Sequence, residues 1–102
     1  MKLAQARDVC TAITSGVVLQ FNYETGGARM VEPYLHGFTT SGSEVLCGFQ
    51  LTGDSATGTP TGWKRFALLG ISDLRVTGVR VPQVRPEYKA RGKGIVRVHC
   101  CV

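Results

Sequence analysis

Cations set beside aromatic rings are the chemistry this chain offers most clearly. Tyr23, Arg29 and His36 lie in or next to strand-patterned stretches, and Trp63 immediately precedes the pair Lys64-Arg65. Arginine presents paired N–H donors that match phosphate oxygens, and an aromatic face accepts a stacked base. Tyr23, Arg29, His36, Trp63, Lys64 and Arg65 are therefore the candidate anion- or nucleic-acid-binding set. Structural uses compete for several of them. Arg29 has Glu32 nearby as an ion-pair partner, and Tyr23 suits a core ring whose hydroxyl reaches a backbone carbonyl. Trp63 suits capping one end of a barrel as well as stacking.

A second candidate is the basic end of the chain. Residues 1–79 are neutral. Residues 80–102 carry Arg80, Arg85, Lys89, Arg91, Lys93 and Arg97 against Glu87 alone, which is the whole net charge of +5. Arg80, Arg85, Lys89, Arg91 and Lys93, with Tyr88 among them, form a basic patch suited to a nucleic-acid backbone or an acidic protein surface. A solvated tail with no specific role has the same composition.

The His99-Cys100-Cys101 run, with Cys10 and Cys47, holds the residue types of a thiolate metal site. Neighbours on a strand point to opposite faces, which keeps Cys100 and Cys101 from sharing an ion, and no C-x-x-C occurs. No metal ligand set and no cofactor are assigned. Four cysteines allow three disulfide pairings, but reduced thiols are expected in a cytoplasmic protein. Enzyme motifs are missing: no G-x-S-x-G, no H-E-x-x-H, no glycine loop ahead of a helix. His36 and His99 have no activated nucleophile near them in sequence, so a non-catalytic protein is expected.

These residues need elements to hold them. Leu3, Ala6, Cys10 and Ile13 fall at helical spacing and Gly16 is a natural stop, which predicts a helix over 3–14. Val17, Leu19, Phe21 and Tyr23 alternate with Val18, Gln20 and Asn22 as a strand. Glu24 to Gly27 makes a glycine turn, and Ala28 to Leu35 returns, with Pro33 marking an edge, bulge or strand end. Glu44–Leu51, Trp63–Leu69 and Arg75–Val81 read as further strands. A polar loop covers 52–62, and a turn or single helical turn covers 70–74. Ile95–Val102 is apolar enough for a last strand, in this sheet or in a partner's. Short strands with frequent turns after one helix predict a small, strongly curved antiparallel sheet or barrel. At 102 residues the chain is one domain. No apolar run spans a bilayer, and Arg7-Asp8 interrupts any signal segment, so no membrane association and a cytoplasmic location are expected.

Tyr23, the glycine turn, Arg29-Met30-Val31-Glu32-Pro33-Tyr34-Leu35, the strand 45–50, Arg65-Phe66 and Ile71 to Leu74 follow one another in an order that resembles the WYL domain. The resemblance covers about residues 5 to 82. The tripeptide naming the family would fall near Val45-Leu46-Cys47 and is absent, and Gly70 stands where an arginine is common, so the similarity is to a divergent, stand-alone version. It implies a mainly β fold: a five-stranded SH3-like or Sm-like barrel over 17–82, one helix before it and a basic extension over 83–102. It also implies a regulatory or accessory module that binds an anionic ligand, single-stranded nucleic acid or a nucleotide first among these, in transcription control, phage defence or CRISPR systems. No DNA-reading helix pair fits the chain. The alternative class is a protein-interaction or homo-oligomer module that uses exposed sheet edges.

Overall fold

The computed structural model describes residues 3–24, 27–52, 62–82, 85 and 94–101, with the backbone alone for 3–6. Helix α1 spans Leu3–Ser15. Val9, Ala12 and Ile13 give it a narrow buried stripe. Gly16 ends it at φ 68°, a left-handed conformation that suits glycine, and the Gly16 N–H donates to the Ala12 carbonyl.

The rest is mainly β, as the sequence predicts. Strands β1 (Val17–Tyr23), β2 (Ala28–Thr39), β3 (Glu44–Thr52), β4 (Gly62–Ala67), β5 (Ile71–Arg80) and β6 (Ile95–Cys101) form one antiparallel sheet. Pairing runs β4-β3-β2-β1-β5, and β6 joins β2 off that path. The expected five strands are thus six, and the sheet is not closed: β4 and β5 end the path without pairing to each other. α1 packs against β1, β2, β5 and β6 and covers the apolar interior instead.

The sixth strand exists because β2 outruns its neighbour. On one flank β2 pairs with β3 from Met30 to Phe38. On the other flank β1 takes only Ala28 to Val31, and β6 takes Leu35 to Thr39. Pro33 falls between those two pairings. Of the edge, bulge or strand end that the sequence left open, the proline neither ends the strand nor puts it at an edge; it falls at an irregularity of the ladder, where the β1 and β6 flank has no partner. Gly48 lies opposite Pro33, and the ladder shifts register between Pro33 and Leu35.

The fourth connection also differs from expectation. β4 ends at Ala67 and a 3-10 turn occupies Leu68–Gly70, two residues earlier than the predicted turn, so β5 starts at Ile71. The turn-like signal in Ile71 to Leu74 comes instead from an irregularity inside β5: Asp73 has φ 52°, and the β1–β5 register shifts between Gln20 and Asn22. Asn22 Nδ2 donates to Asp73 Oδ2 at 3.0 Å across that irregularity.

The main core gathers Val9, Ala12 and Ile13 from α1 with Leu19, Phe21, Val31, Leu46 and Phe66 from the sheet. Leu68 from the turn and Ile71 from the start of β5 complete it. A smaller group, Leu35, Val45 and Ile95, ties β6 down. Each fully buried ring or branched side chain contributes about 1.5–3 kcal/mol. No helix among the described residues is long and apolar enough to cross a membrane.

Candidate functional site

Tyr23 and Arg29 do come together, but inside the fold. The Arg29 guanidinium lies 5.1 Å from the Tyr23 ring centroid and 5.9 Å from that of Phe66. Arg29 is only 8% exposed, and its Nη1 donates to Gln50 Oε1 at 3.4 Å. Its Nε has no partner among the described residues. The expected ion pair with Glu32 does not form, because Glu32 pairs with Arg85. Tyr23 is half-buried, and its hydroxyl oxygen accepts the Ala67 N–H at 3.0 Å rather than donating to a carbonyl. These two residues brace β1 against the end of β4. Arg29 is turned into the core, and Tyr23 keeps part of its surface exposed.

Trp63 and Arg65 share one face of β4, which is an end strand of the path, and Lys64 falls on the other face with Phe66. Trp63 is 37% exposed and packs edge-on against Tyr34 and Phe49, with centroids 4.9 and 5.5 Å away. Arg85 closes this aromatic group. Its guanidinium sits 3.6 Å from the Phe49 centroid, its Nε donates to Glu32 Oε1 at 2.7 Å, and its N–H donates to the Tyr34 hydroxyl at 3.0 Å. Burial raises the Tyr34 phenol above its ordinary value, with the Arg85 N–H opposing, so Tyr34 is a neutral acceptor here. A Cβ placed on Gly94 would stand 3.7 Å from Arg65 Nη1. Lys89, Arg91 and Lys93 lie outside the described residues. Arg80 is exposed at the end of β5, opposite Val17.

His36 is elsewhere. It is fully buried on β2, and its Nε2 is 2.6 Å from Glu44 Oε2. A carboxylate only accepts, so Nε2 carries the proton and donates. Burial lowers the His36 pKa, against the pull of Glu44, which keeps the ring neutral with a lone pair on Nδ1. That lone pair faces three other donor groups. His99 Nδ1 is 2.9 Å from His36 Nδ1, and Cys10 Sγ is 3.7 Å from it. Cys10 Sγ and Cys100 Sγ lie 3.5 and 3.8 Å from His99 Nδ1. Cys10 and Cys100 form a disulfide, with Cα atoms 5.6 Å apart, in place of the reduced thiols expected from the sequence. All four ligand-type atoms fall within 4.8 Å of one another.

Strand alternation predicts that His99 and Cys100 point apart, and here they do not. His36 pairs with Cys100 but Gly37 pairs with Val98, so His99 is the extra residue of a β-bulge. A bulge re-aims its side chains, and both residues turn to the same cluster. Cys100 and Cys101 do stay apart as alternation requires, since Cys101 is exposed and outside the group. Sequence spacing gives no sign of Cys10 and His36 as companions, because they arrive from α1 and β2.

Cys47 and Cys101 are the free thiols. Burial raises the Cys47 thiol pKa, opposed by a hydrogen bond from Arg65, whereas Cys101 is exposed. In a brief iodoacetamide pulse Cys101 is expected to alkylate on the order of tenfold faster than Cys47. Peptide mass mapping reads the two rates, and equal labelling would contradict the burial of Cys47.

Comparison with protein-family models, curated proteins and solved structures finds no match for this chain. The similarity to WYL domains therefore rests on motif order alone.

Proposed function

We propose that the protein is a non-catalytic accessory module that binds an anionic ligand, with single-stranded nucleic acid as the ligand class. The observation that carries this reading is a cation docked among aromatic rings: Arg85 sits on Phe49 and Glu32 next to the partly exposed Trp63, and Arg65 is exposed on the same strand as Trp63. Lys89, Arg91 and Lys93, which lie outside the described residues, follow Arg85 in sequence and add to its charge. Cations along a backbone track with one partly exposed aromatic ring are what a sequence-tolerant single-strand site requires. Helix first, then a meander of four strands, a 3-10 turn and a fifth strand also supports reading the curved sheet as an open relative of the SH3-like barrel.

Fluorescence anisotropy with labelled single-stranded and duplex DNA and RNA, at about 50 and 200 mM salt, tests this. Single strands are expected to bind best. The Lys64→Ala, Arg65→Ala pair should reduce the slope of log affinity against log salt by about 1 for each phosphate that is no longer neutralised. Lys89→Ala, Arg91→Ala and Lys93→Ala together should do the same. Arg75→Ala, on the opposite end strand β5, is the control and should change little. Arg29 is too buried to serve as a probe of surface binding. Absence of binding at both salts, or an equal drop from Arg75→Ala, would overturn the proposal.

One observation favours the interaction-module reading. β5 ends the sheet path, and Val76 and Val79 on it are 41% and 52% exposed. An end strand with apolar side chains is suited to pairing with another chain. Concentration-dependent dimerisation that Val76→Lys abolishes would support that reading over the first.

A further inference from the structure

We propose that Cys10, His36, His99 and Cys100 bind one Zn(II) ion as a closed tetrahedral Cys2His2 site that joins α1, β2 and β6. Two thiols and two imidazoles are the ligand set this ion takes in structural sites. With Zn–S near 2.3 Å and Zn–N near 2.0 Å, tetrahedral geometry separates sulfur and nitrogen ligand atoms by about 3.5 Å. The three sulfur–nitrogen distances here are 3.5, 3.7 and 3.8 Å. The two Nδ1 atoms, 2.9 Å apart, need a small opening to reach the corresponding separation of about 3.3 Å, and the disulfide-bonded sulfurs must be reduced and part to about 3.8 Å.

The proton inventory points the same way. Glu44 fixes the His36 proton on Nε2, so Nδ1 offers a lone pair to the cluster. A hydrogen bond from His99 Nδ1–H would account for that one contact. The Cys10–Cys100 disulfide accounts for the two sulfurs lying together; once it is reduced, a cation at the centre satisfies all four ligand atoms at once. The Glu44 carboxylate behind His36 is also the outer partner that zinc-binding histidines usually have, orienting the ring and strengthening it as a donor. Binding converts both thiols to thiolates and releases two protons, leaving a neutral centre. Four protein ligands leave no open position, so the role is structural.

The site staples the fold where it is thinnest. Helix α1 has a narrow apolar stripe, and β6 is held to the sheet by β2 and a small apolar group. Cys10 and Cys100 are 90 residues apart in sequence, so a bond through the metal closes nearly the whole chain. The same two sulfurs can pair as a disulfide under oxidising conditions, since their Cα separation suits one. A disulfide and the zinc site exclude each other, and the reduced protein is the zinc-binding form.

The test uses the full chain, reduced and stripped of metal, then titrated with Zn(II) and separately with Co(II). One zinc per chain is expected to survive desalting, measured by plasma mass spectrometry. The Co(II) form should show tetrahedral d–d bands together with a thiolate charge-transfer band. Cys100→Ser and His99→Ala should each lower affinity by at least about tenfold, and Glu44→Gln by about 10–100-fold with the cobalt spectrum retained. Cys101→Ser should still bind one ion. His99 is exposed, so its variant tests ligation even where a buried substitution fails to fold, and circular dichroism confirms each fold. A folded wild type that retains no metal would overturn the proposal. So would a Cys101→Ser loss equal to that of Cys100→Ser.

Discussion

Gly48→Ala is expected to destabilise the fold severely, although it adds one methyl group. A Cβ at Gly48 would stand 2.5 Å from the Glu32 carbonyl oxygen and 2.6 Å from Val31 Cγ1. The first obstacle is backbone, in the strand that every other part of the sheet depends on. β2 cannot retreat, because β3 is paired along one flank while β1 and β6 divide the other. Overpacking of this kind costs about 3 kcal/mol, a large share of the 5–15 kcal/mol or so that holds a domain of this size. The melting midpoint followed by circular dichroism should fall by roughly 15 °C. A fall of only about 2 °C would mean that β2 and β3 are not this close.

Phe66→Ala is the second large effect. Phe66 is 1% exposed and meets Phe21 and Tyr23 edge-on, with centroids 5.1 and 5.0 Å away. Truncation removes both neighbouring-ring interactions and leaves a cavity, which costs about 3–5 kcal/mol in a core that cannot collapse onto it. It also strips one aromatic face from the Arg29 guanidinium, which is buried and already has an unpaired Nε among the described residues. Urea unfolding should register the change as a lower midpoint with little change in slope. A change below about 1 kcal/mol would place Phe66 outside the core.

Local features of the fold are legible in the sequence. Gly16 marks the helix end, the alternation from Val17 to Tyr23 gives β1, and the mainly β character follows from short strands and frequent turns. What escapes is set by pairing between distant segments. Pro33 fits an edge, a bulge or a strand end alike until β1 and β6 are seen to share one flank of β2 on either side of it. Asp73 looks like part of a turn until its positive φ is seen to serve a bulge. His99 and Cys100 look incompatible as neighbours on a strand, since nothing in the sequence reveals the register shift that turns them together. The candidate anion site divides along the same line. Trp63 and Arg65 stay together on one face of β4, with Lys64 on the other, but Arg29 carries its charge into the core, where Tyr23, Phe66 and Gln50 receive it. Glu32 takes Arg85 instead, a residue 53 positions away.

The measurement that tests the centre of this account most directly is native mass spectrometry of the reduced chain with and without Zn(II). One adduct is predicted, heavier than the metal-free chain by one zinc ion less two protons, because Cys10 and Cys100 bind as thiolates. Cys100→Ser should lose that species and Cys101→Ser should keep it. A chain that gains no zinc would contradict the account. So would one that stays two hydrogens lighter than its thiol form after reduction, because its sulfurs would then be committed to each other.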